Sequence, residues 1–213
     1  SGVVYSEETI KWLSALLEEK QKEYGTTIYL ISDEPYREIV YDNIEVPYVP
    51  KYYPNTMVCY SYSKSLSLPG ERIGYILTPD EVDESQRLRA AIAGARRALG
   101  YVCAPVLFQK AIARCIDTPT DIRAYKSNRD LLYNGLVSLG YECVRPQGAF
   151  YLFVKSPEPD AYAFSERAKK YDLLIVPSDS FGCAGYVRIS YCVSEKTIKD
   201  ALPVFAQLIK EYQ

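Results

Sequence analysis

Histidine is absent from this chain of 213 residues. Histidine is the usual base of catalytic triads and a common ligand of catalytic zinc, so its absence excludes His-based triads and most zinc-hydrolase mechanisms. We therefore expect no metal site. Any acid–base chemistry must come from lysine, tyrosine, aspartate, glutamate or cysteine side chains.

The sequence also lacks an apolar run near the roughly 20 residues that would span a bilayer, and no basic, apolar leader opens it. The net charge of −2 gives no reason to expect nucleic acid or a membrane as a partner. The six cysteines are scattered without a Cys-x-x-Cys pair, which is typical of reduced thiols and not of a disulfide framework. These absences together predict a cytoplasmic protein.

Two kinds of pattern divide the chain. Hydrophobic residues make up 48% of it and charged residues 24%, the ordinary balance of a globular protein with a core. The first part begins with a helix, predicted between the capping residue Ser6 and a stop at Gly25. Three β-rich runs follow, at Thr26–Ser32, Thr56–Tyr62 and Ile73–Thr78. Continuous apolar strands joined by longer connections predict an α/β unit whose sheet is covered on both faces.

Helices and short strands fill the rest of the chain. Helices are predicted around Leu88–Leu99 and at Val106–Ile116, Asp121–Leu139 and Ala161–Tyr171. Strands are predicted at Glu142–Arg145, Ala149–Lys155, Leu173–Val176 and Tyr186–Cys192. Apolar residues at helical spacing from Ile198 to Tyr212 predict a last helix, and Pro203 within it predicts a kink or a late start. This order predicts a smaller α+β unit after the region of Pro119.

The stretch Ser61-Tyr62-Ser63-Lys64 is the most informative part of the sequence, and Arg72 follows it by eight residues. The lysine amine can form an imine with an aldehyde, while the two hydroxyls and the guanidinium can hold a phosphate. Pyridoxal phosphate carries both of these groups, an aldehyde and a phosphate. A single lysine after a serine is most often a solvated surface charge. The functional prediction for Lys64 therefore depends on these neighbouring residues.

A carboxylate and a phenol three residues apart precede this stretch. Asp33 and Tyr36 follow the first β-rich run, as Lys64 follows the second. Such a pair is by itself most often a turn. In an open α/β sheet, however, ligands bind at the edge formed by the carboxyl ends of the strands. The sequence therefore predicts that these side chains converge at one edge of the sheet.

Together these segments resemble the class I and II aminotransferases, pyridoxal-phosphate-dependent enzymes of fold type I in the aspartate aminotransferase-like superfamily. The resemblance rests on three motifs in this order: Asp-x-x-Tyr, Ser-x-Ser-Lys, and Pro69-Gly70-Glu71-Arg72-Ile73-Gly74. It implies a fold that combines the second half of the family's large α/β domain, whose sheet is mostly parallel, with its small C-terminal α+β domain. It also implies pyridoxal 5′-phosphate as the cofactor.

The resemblance assigns a role to each polar residue of these motifs. It implies that Lys64 is the catalytic residue, which carries the Schiff base with the cofactor and then moves the substrate proton. Asp33 would keep the pyridine nitrogen protonated, and Tyr36 would bind the ring oxygen. The residues that would bind the phosphate are Ser61, Ser63 and Arg72.

The predicted strand Tyr186–Cys192 carries an arginine in an otherwise apolar run. Alternation places Arg188 and Ser190 on one face, and such an arginine needs an anion, either an internal carboxylate or a ligand. In the family, the arginine for the substrate carboxylate lies in such a strand after a turn like Pro177–Gly182, so the resemblance gives this role to Arg188. It also suggests that Phe150 lines the substrate cleft, although a tight turn into a core strand explains Phe150 equally well.

The resemblance covers only the second half of a family member. It implies that residues 1–118 are the C-terminal part of the large cofactor-binding domain and that residues 119–213 are the small domain. Ser1-Gly2-Val3-Val4 matches the end of an Asn-Pro-x-Gly turn that lies mid-chain in the family. We therefore expect a fragment that binds the cofactor weakly and turns over little on its own, and a homodimer for the full-length protein.

Several functions fit these motifs. The leading one is transfer of an amino group between an amino acid and a 2-oxo acid, and a pyridoxal-phosphate-dependent carbon–sulfur β-lyase of the same fold would use the same residues. A cofactor-sensing domain of a transcription regulator is a further alternative, although nothing here is basic enough to bind DNA. A structural domain with vestigial motifs is disfavoured because every expected polar position of the covered half is present. The identity of the amino acid stays open.

Overall fold

The chain folds as two units in the computed structural model, which describes residues 2–213. The N-terminal unit contains residues 5–40 and 45–120, and the C-terminal unit contains residues 2–4, 41–44 and 121–213. Ser1, the first residue of the turn match at the start of the sequence, lies outside the described residues. Within residues 2–213, no helix has both the length and the apolar character needed to cross a bilayer.

The N-terminal unit begins with a long helix, α1, which spans Glu7–Tyr24. The Ser6 hydroxyl caps it by accepting a hydrogen bond from the Thr9 amide at 3.2 Å, and Gly25 ends it in the left-handed conformation. This start and stop agree with the sequence prediction. The other elements are β1 (Leu30–Asp33), a 3-10 turn (Val49–Lys51), β2 (Thr56–Ser61), α2 (Tyr62–Ser65), β3 (Gly74–Leu77), α3 (Ser85–Ala98) and α4 (Val106–Cys115).

The three strands form one sheet in the order β1-β2-β3. β1 and β2 pair in parallel, and their last register pair sets Asp33 opposite Cys59. β3 runs antiparallel to β2, with Gly74 opposite Ser61. The connection from β2 to β3 contains only the one-turn helix α2. β3 therefore begins at the same end of the sheet at which β2 finishes. The α/β class is confirmed, and the antiparallel β3 makes the described three-stranded sheet a mixed one.

The core of the N-terminal unit is formed by side chains from α1, β2 and the segments that connect the strands. Its most buried members include Ile10, Ile39, Tyr53, Val58 and Ile73. All four residues of β3 are exposed. The described part of this sheet is therefore most deeply buried along the first half of β2.

Gly74 begins β3 where this strand passes close to β2. A Cβ atom at this position would lie 2.2 Å from the Tyr60 carbonyl oxygen, so the backbone would have to move. At Gly70, in the same loop, no described atom lies within 4 Å of the corresponding position. The second glycine of the Pro-Gly-x-Arg-x-Gly motif is therefore required by a backbone contact, and the first is not.

The C-terminal unit contains an antiparallel sheet in the order β4-β5-β7-β6 with helices around it. Its elements are α5 (Arg123–Ser138), β4 (Cys143–Val144), β5 (Tyr151–Lys155), α6 (Ala161–Lys169), β6 (Val176–Pro177), a 3-10 turn (Asp179–Phe181), β7 (Tyr186–Ser190), α7 (Glu195–Ile209) and a last 3-10 turn (Lys210–Tyr212). Its core includes Leu136, Leu152, Phe164, Val187 and Leu208, each at most 1% exposed. The predicted α+β organisation is confirmed.

The last helix starts earlier than its proline suggests. α7 begins directly after Ser194, whose hydroxyl caps the first turn, and Pro203 lies inside the helix. The proline lacks the amide that would bond to a carbonyl of the preceding turn. The predicted late start is wrong, because the cap and a buried apolar face that includes Phe205 outweigh the loss of one hydrogen bond.

Arg129 of α5 is a buried charge, only 1% exposed. It binds the carboxylates of Asp42 and Asp130, each at 2.8 Å, and donates to the Pro146 carbonyl at 3.0 Å. Lys126 also binds Asp42, at 2.8 Å. Hydrogen bonds from Arg129 and then Lys126 hold the pKa of Asp42 well below its ordinary value. This network joins the segment 41–44 to α5.

Two buried phenols hold the turn that leads into β5. The Tyr41 and Tyr191 hydroxyls both donate to the Ala149 carbonyl, at 2.5 Å and 3.0 Å. Ala149 has a left-handed backbone, with φ of 57°. Burial raises the pKa of Tyr41 to about 12, so this phenol stays a donor. The guanidinium of Arg129 lies 4.6 Å from the Tyr41 ring centroid, which links this contact to the ionic network.

We expect Gly74→Ala to weaken the pairing of β2 with β3, because the added methyl group cannot fit against the Tyr60 carbonyl. The free energy of unfolding, measured by urea denaturation, should fall by about 1–3 kcal/mol. Gly70→Ala is the matched control and should change it by less than about 0.5 kcal/mol. Equal losses in the two variants would contradict the steric role of Gly74.

Asp42→Asn should lower the free energy of unfolding by about 2 kcal/mol at neutral pH, because it removes a charged acceptor from the buried Arg129. Asparagine tolerates the left-handed backbone of this position, where φ is 59°. Because the folded state depresses the pKa of Asp42, the wild type has this contribution above the ordinary pKa and loses it as the pH falls below about 4. The difference between variant and wild type in urea denaturation should therefore shrink on acidification.

The control for this change is Asp121→Asn. Arg123 lowers the pKa of Asp121 to about 2, but both side chains of that pair are exposed. We expect little change in stability from this variant, since exposed ion pairs contribute little. A loss as large as that of Asp42→Asn would show that the burial of Arg129 is not the cause.

Candidate functional site

The carboxyl ends of β1 and β2 meet at one edge of the sheet. Asp33 ends β1 opposite Cys59, and the Glu34 amide donates to the Cys59 carbonyl at 2.8 Å. Burial raises the pKa of the Cys59 thiol, and the nearby charge of Asp33 raises it further. The carboxylate of Asp33 is exposed at this edge, which is where ligands bind in open α/β sheets.

The helix α2 begins at the same edge and consists of a single turn. Ser61 caps it: its hydroxyl accepts from the Ser63 amide at 3.2 Å and shares a hydrogen bond of 2.7 Å with the Ser63 hydroxyl. Lys64 lies in this turn and is half-buried. Its Nζ is 5.8 Å from the centroid of the Tyr36 ring. The structure thus brings Lys64 beside Tyr36 and places both serine hydroxyls at the start of the turn.

Two hydrogen bonds hold Ser65, the residue after Lys64. The Tyr60 hydroxyl donates to the Ser65 hydroxyl at 2.8 Å, and the Thr120 hydroxyl donates to the Ser65 carbonyl at 3.0 Å. The Tyr60 ring stacks on that of Tyr75 in β3, with 5.1 Å between the centroids. Sequence reasoning missed Tyr60 and Thr120 as supports of the turn. For Thr120 the reason is that a hydroxyl partner 55 residues away leaves no local pattern.

Arg72 lies in the loop that enters β3, next to the start of α2. The Tyr62 amide donates to the carbonyl of Ile73 at 3.2 Å, so the two backbones adjoin there. Arg72 is exposed, has a left-handed φ of 51°, and donates through Nη1 to the Pro69 carbonyl at 2.8 Å. Within residues 2–213 it makes no ion pair. Since a guanidinium carries five N–H donors, the others can bind an anion.

Arg188 belongs to the C-terminal unit, where it lies half-buried in the middle of β7. Its Cζ is 4.1 Å from the centroid of the Phe181 ring and 4.5 Å from that of Tyr151. Within residues 2–213, no carboxylate lies at ion-pair distance from it. The alternative of an internal salt bridge is therefore wrong for the described residues, and the strand presents a cation without a protein anion.

Phe150 is buried between aromatic rings of the C-terminal unit. Its centroid lies 5.6 Å from that of Tyr125 and 4.9 Å from that of Tyr151. It follows the left-handed Ala149 and directly precedes β5, which is the tight turn into a core strand that the sequence offers as an alternative. Its predicted place beside the substrate stays a prediction.

The candidate residues thus fall into two groups. The cofactor candidates all lie in the N-terminal unit, within residues 33–72, and Arg188 and Phe150 lie in the C-terminal unit. Sequence reasoning also missed the contact of Phe181 with Arg188, although the turn that carries Phe181 is part of the motif quoted for Arg188. Nothing in the order of residues tells which side chain of that turn reaches the strand.

The sequence matches the profile of the family described as aminotransferase class I and II over residues 1–205. Among curated proteins, it is 31% identical to the probable N-acetyl-LL-diaminopimelate aminotransferase of Bacillus subtilis, over 95% of this chain and 51% of that protein. It is 29% identical to the aspartate/prephenate aminotransferase of Thermus thermophilus, over 98% of this chain and 54% of that protein.

Solved structures give the same result for the fold. A crystal structure titled as an aminotransferase from Eubacterium rectale superposes with a TM-score of 0.97 at 64% identity, covering all of this chain and 54% of that one. A mutant of the Thermus thermophilus aspartate aminotransferase superposes with a TM-score of 0.83 at 29% identity, covering 98% of this chain and 56% of that one. The chain therefore spans about half the length of the relatives that it matches.

Proposed function

Because the chain belongs to the class I and II aminotransferase family, we propose that it is part of an enzyme that moves an amino group between an amino acid and a 2-oxo acid. Pyridoxal 5′-phosphate, on which the family depends, is the proposed cofactor, and Lys64 is the residue proposed to link to it. The chain spans about half of its relatives, so this activity is proposed for the protein that contains it.

One observation carries the proposal: a lysine and a carboxylate occupy the carboxyl ends of adjacent parallel strands. Asp33 ends β1, and Lys64 lies in the single turn that follows β2. Tyr36 is beside the lysine, with 5.8 Å from Nζ to the ring centroid. An acid, a phenol and an amine at one sheet edge match the ring nitrogen, the ring oxygen and the aldehyde of the cofactor.

The polar residues around this edge fit a phosphate as well. Ser61 and Ser63 offer two hydroxyls 2.7 Å apart at the start of α2. Arg72 adds a guanidinium, whose planar set of N–H donors suits phosphate oxygens. The donor set therefore fits the whole cofactor, with hydroxyls and a cation for the phosphate and an acid for the ring.

When bound, pyridoxal phosphate supplies an electron sink that lets the Cα proton of an amino acid leave. The Asp33 carboxylate would hold a proton on the ring nitrogen, and the Tyr36 hydroxyl would donate to the ring oxygen. The Lys64 amine would accept the Cα proton of the substrate as a base and give a proton back as an acid. Lys64 would thus act as both base and acid.

For the substrate, we propose that Arg188 binds the α-carboxylate through paired N–H donors. This assignment is supported by the absence of an ion-pair partner for Arg188 among residues 2–213. We further propose that Phe150 lines the substrate cleft. Residues 1–118 are proposed as the end of the large cofactor-binding domain and residues 119–213 as the small domain. A cytoplasmic homodimer is the proposed state of the whole protein.

Reductive trapping tests the assignment of Lys64 without requiring turnover. The chain is incubated with pyridoxal phosphate, treated with borohydride and analysed by peptide mass spectrometry. We expect the cofactor mass on the peptide that contains Lys64, and its loss in Lys64→Ala. Lys51→Ala is the control, because Lys51 is an exposed lysine of the same unit, and it should keep the label. Labelling confined to another lysine would overturn the assignment.

The reaction type is tested in the longest natural protein that contains these residues. We expect amino-acid formation that depends on an added 2-oxo acid, and loss of this activity by at least about 10³-fold in Lys64→Ala, since the residue acts as both nucleophile and base. Release of pyruvate and ammonia from a cystathionine-like substrate is measured alongside. Lyase activity without amination would replace the proposed transferase by the β-lyase.

A further inference from the structure

Two aromatic rings lie against the guanidinium of Arg188, and they come from different elements. Tyr151 starts β5 and pairs in register with Ser190, so it is the diagonal neighbour of Arg188 on the same face of the sheet. Phe181 ends the 3-10 turn that precedes β7. Their centroids lie 4.5 Å and 4.1 Å from the Arg188 Cζ. Both distances are those of a cation placed over an aromatic ring.

A ring that stacks on the face of a guanidinium leaves the edge of that guanidinium for binding an anion. The N–H donors of arginine lie in one plane and point outward along that edge. A carboxylate accepts hydrogen bonds from two of these donors through its two coplanar oxygens. A spherical anion is attracted by the positive charge and gains nothing from the planar arrangement of the donors. If the plane of Arg188 is fixed by the rings, less side-chain freedom is lost when a carboxylate binds.

The backbone that carries Phe181 is anchored close to Arg188. The Ser178 amide donates to the Tyr186 carbonyl at 2.8 Å, two residues before Arg188 in β7. The Phe181 amide then donates to the Ser178 carbonyl at 2.9 Å, which closes the turn. The Phe181 side chain is nevertheless 48% exposed, so burial in the core does not account for a large apolar residue here. The Phe181 ring contacts the guanidinium of Arg188.

We propose that Phe181, together with Tyr151, is a positioning residue for Arg188. The two rings fix the plane of the guanidinium so that its edge selects planar carboxylates over spherical anions. Phe181 acts through Arg188 and needs no contact with the substrate. The proposal rests on the proposed function in one respect, namely that the carboxylate bound in catalysis is that of the substrate.

The first test measures anion binding by the chain itself. Propionate and chloride are titrated while the Arg188 Nε–H signal is followed by NMR. The stacked rings should shift this proton upfield in the wild type. Phe181→Leu should relax the shift and raise the dissociation constant for propionate about 5–10-fold, because a guanidinium that is no longer held must be ordered on binding. The dissociation constant for chloride should change by less than about 2-fold, since chloride interacts with the positive charge and does not require two coplanar donors.

Two further variants separate the ring from general effects. Phe181→Tyr restores an aromatic face and should keep both the upfield shift and the affinity for propionate within about 2-fold of the wild type. Tyr162→Leu removes an exposed aromatic residue elsewhere in the same unit and should behave like the wild type. An unshifted wild-type signal, or equal losses for propionate and chloride in Phe181→Leu, would overturn the proposal.

The second test is kinetic and uses the longest natural protein that contains these residues. Phe181→Leu should raise KM for the 2-oxo acid about 5–10-fold and leave kcat within about 2-fold, because positioning acts on carboxylate binding. Amination with an unchanged KM in this variant would refute the role of Phe181. If the protein lacks amination altogether, the proposed function fails, and the propionate titration still decides whether Phe181 positions Arg188.

Discussion

Four residue pairs join β1 to β2 in parallel, and the last of them sets Asp33 opposite Cys59. Two residues beyond Cys59, Ser61 ends β2 and caps the turn that carries Lys64. Side chains alternate along a strand, so a register slip of one residue would move Asp33 to the other face of the sheet. The proposed pairing of an acid with the cofactor ring, and of an amine with its aldehyde, therefore depends on the alignment of two short strands.

The turn that carries Lys64 could not keep its shape alone, because a helix of four residues gains too few hydrogen bonds to offset its ordering. Contacts from outside hold it. Ser61 caps its start, and the Tyr60 and Thr120 hydroxyls bind Ser65 at its end. The close approach of Gly74 to the Tyr60 carbonyl brings β3 against the same strand. The position of the lysine is thus a property of the surrounding sheet and loops.

The sequence predicts the elements whose signals are local and misses what depends on distant partners. The cap at Ser6 and the polar residues after β1 and β2 are read from neighbouring residues, so α1 and the sheet edge could be predicted. β1 begins at Leu30, later than the β-rich run suggests, because the Ile28 amide is bound by the Gln21 side chain at 2.9 Å. No local pattern assigns Tyr41 to the C-terminal unit, since its partner Ala149 is 108 residues away.

Ala149 and Arg72 both have a left-handed backbone, although neither residue is a glycine. Such a conformation costs on the order of 1 kcal/mol at an alanine or arginine. At Ala149 two phenols bind the carbonyl, so packing explains the conformation. Arg72 is exposed, and its guanidinium only closes its own loop through Pro69. At Arg72, whose loop adjoins the start of α2, the donors not used by Pro69 are left for the proposed phosphate.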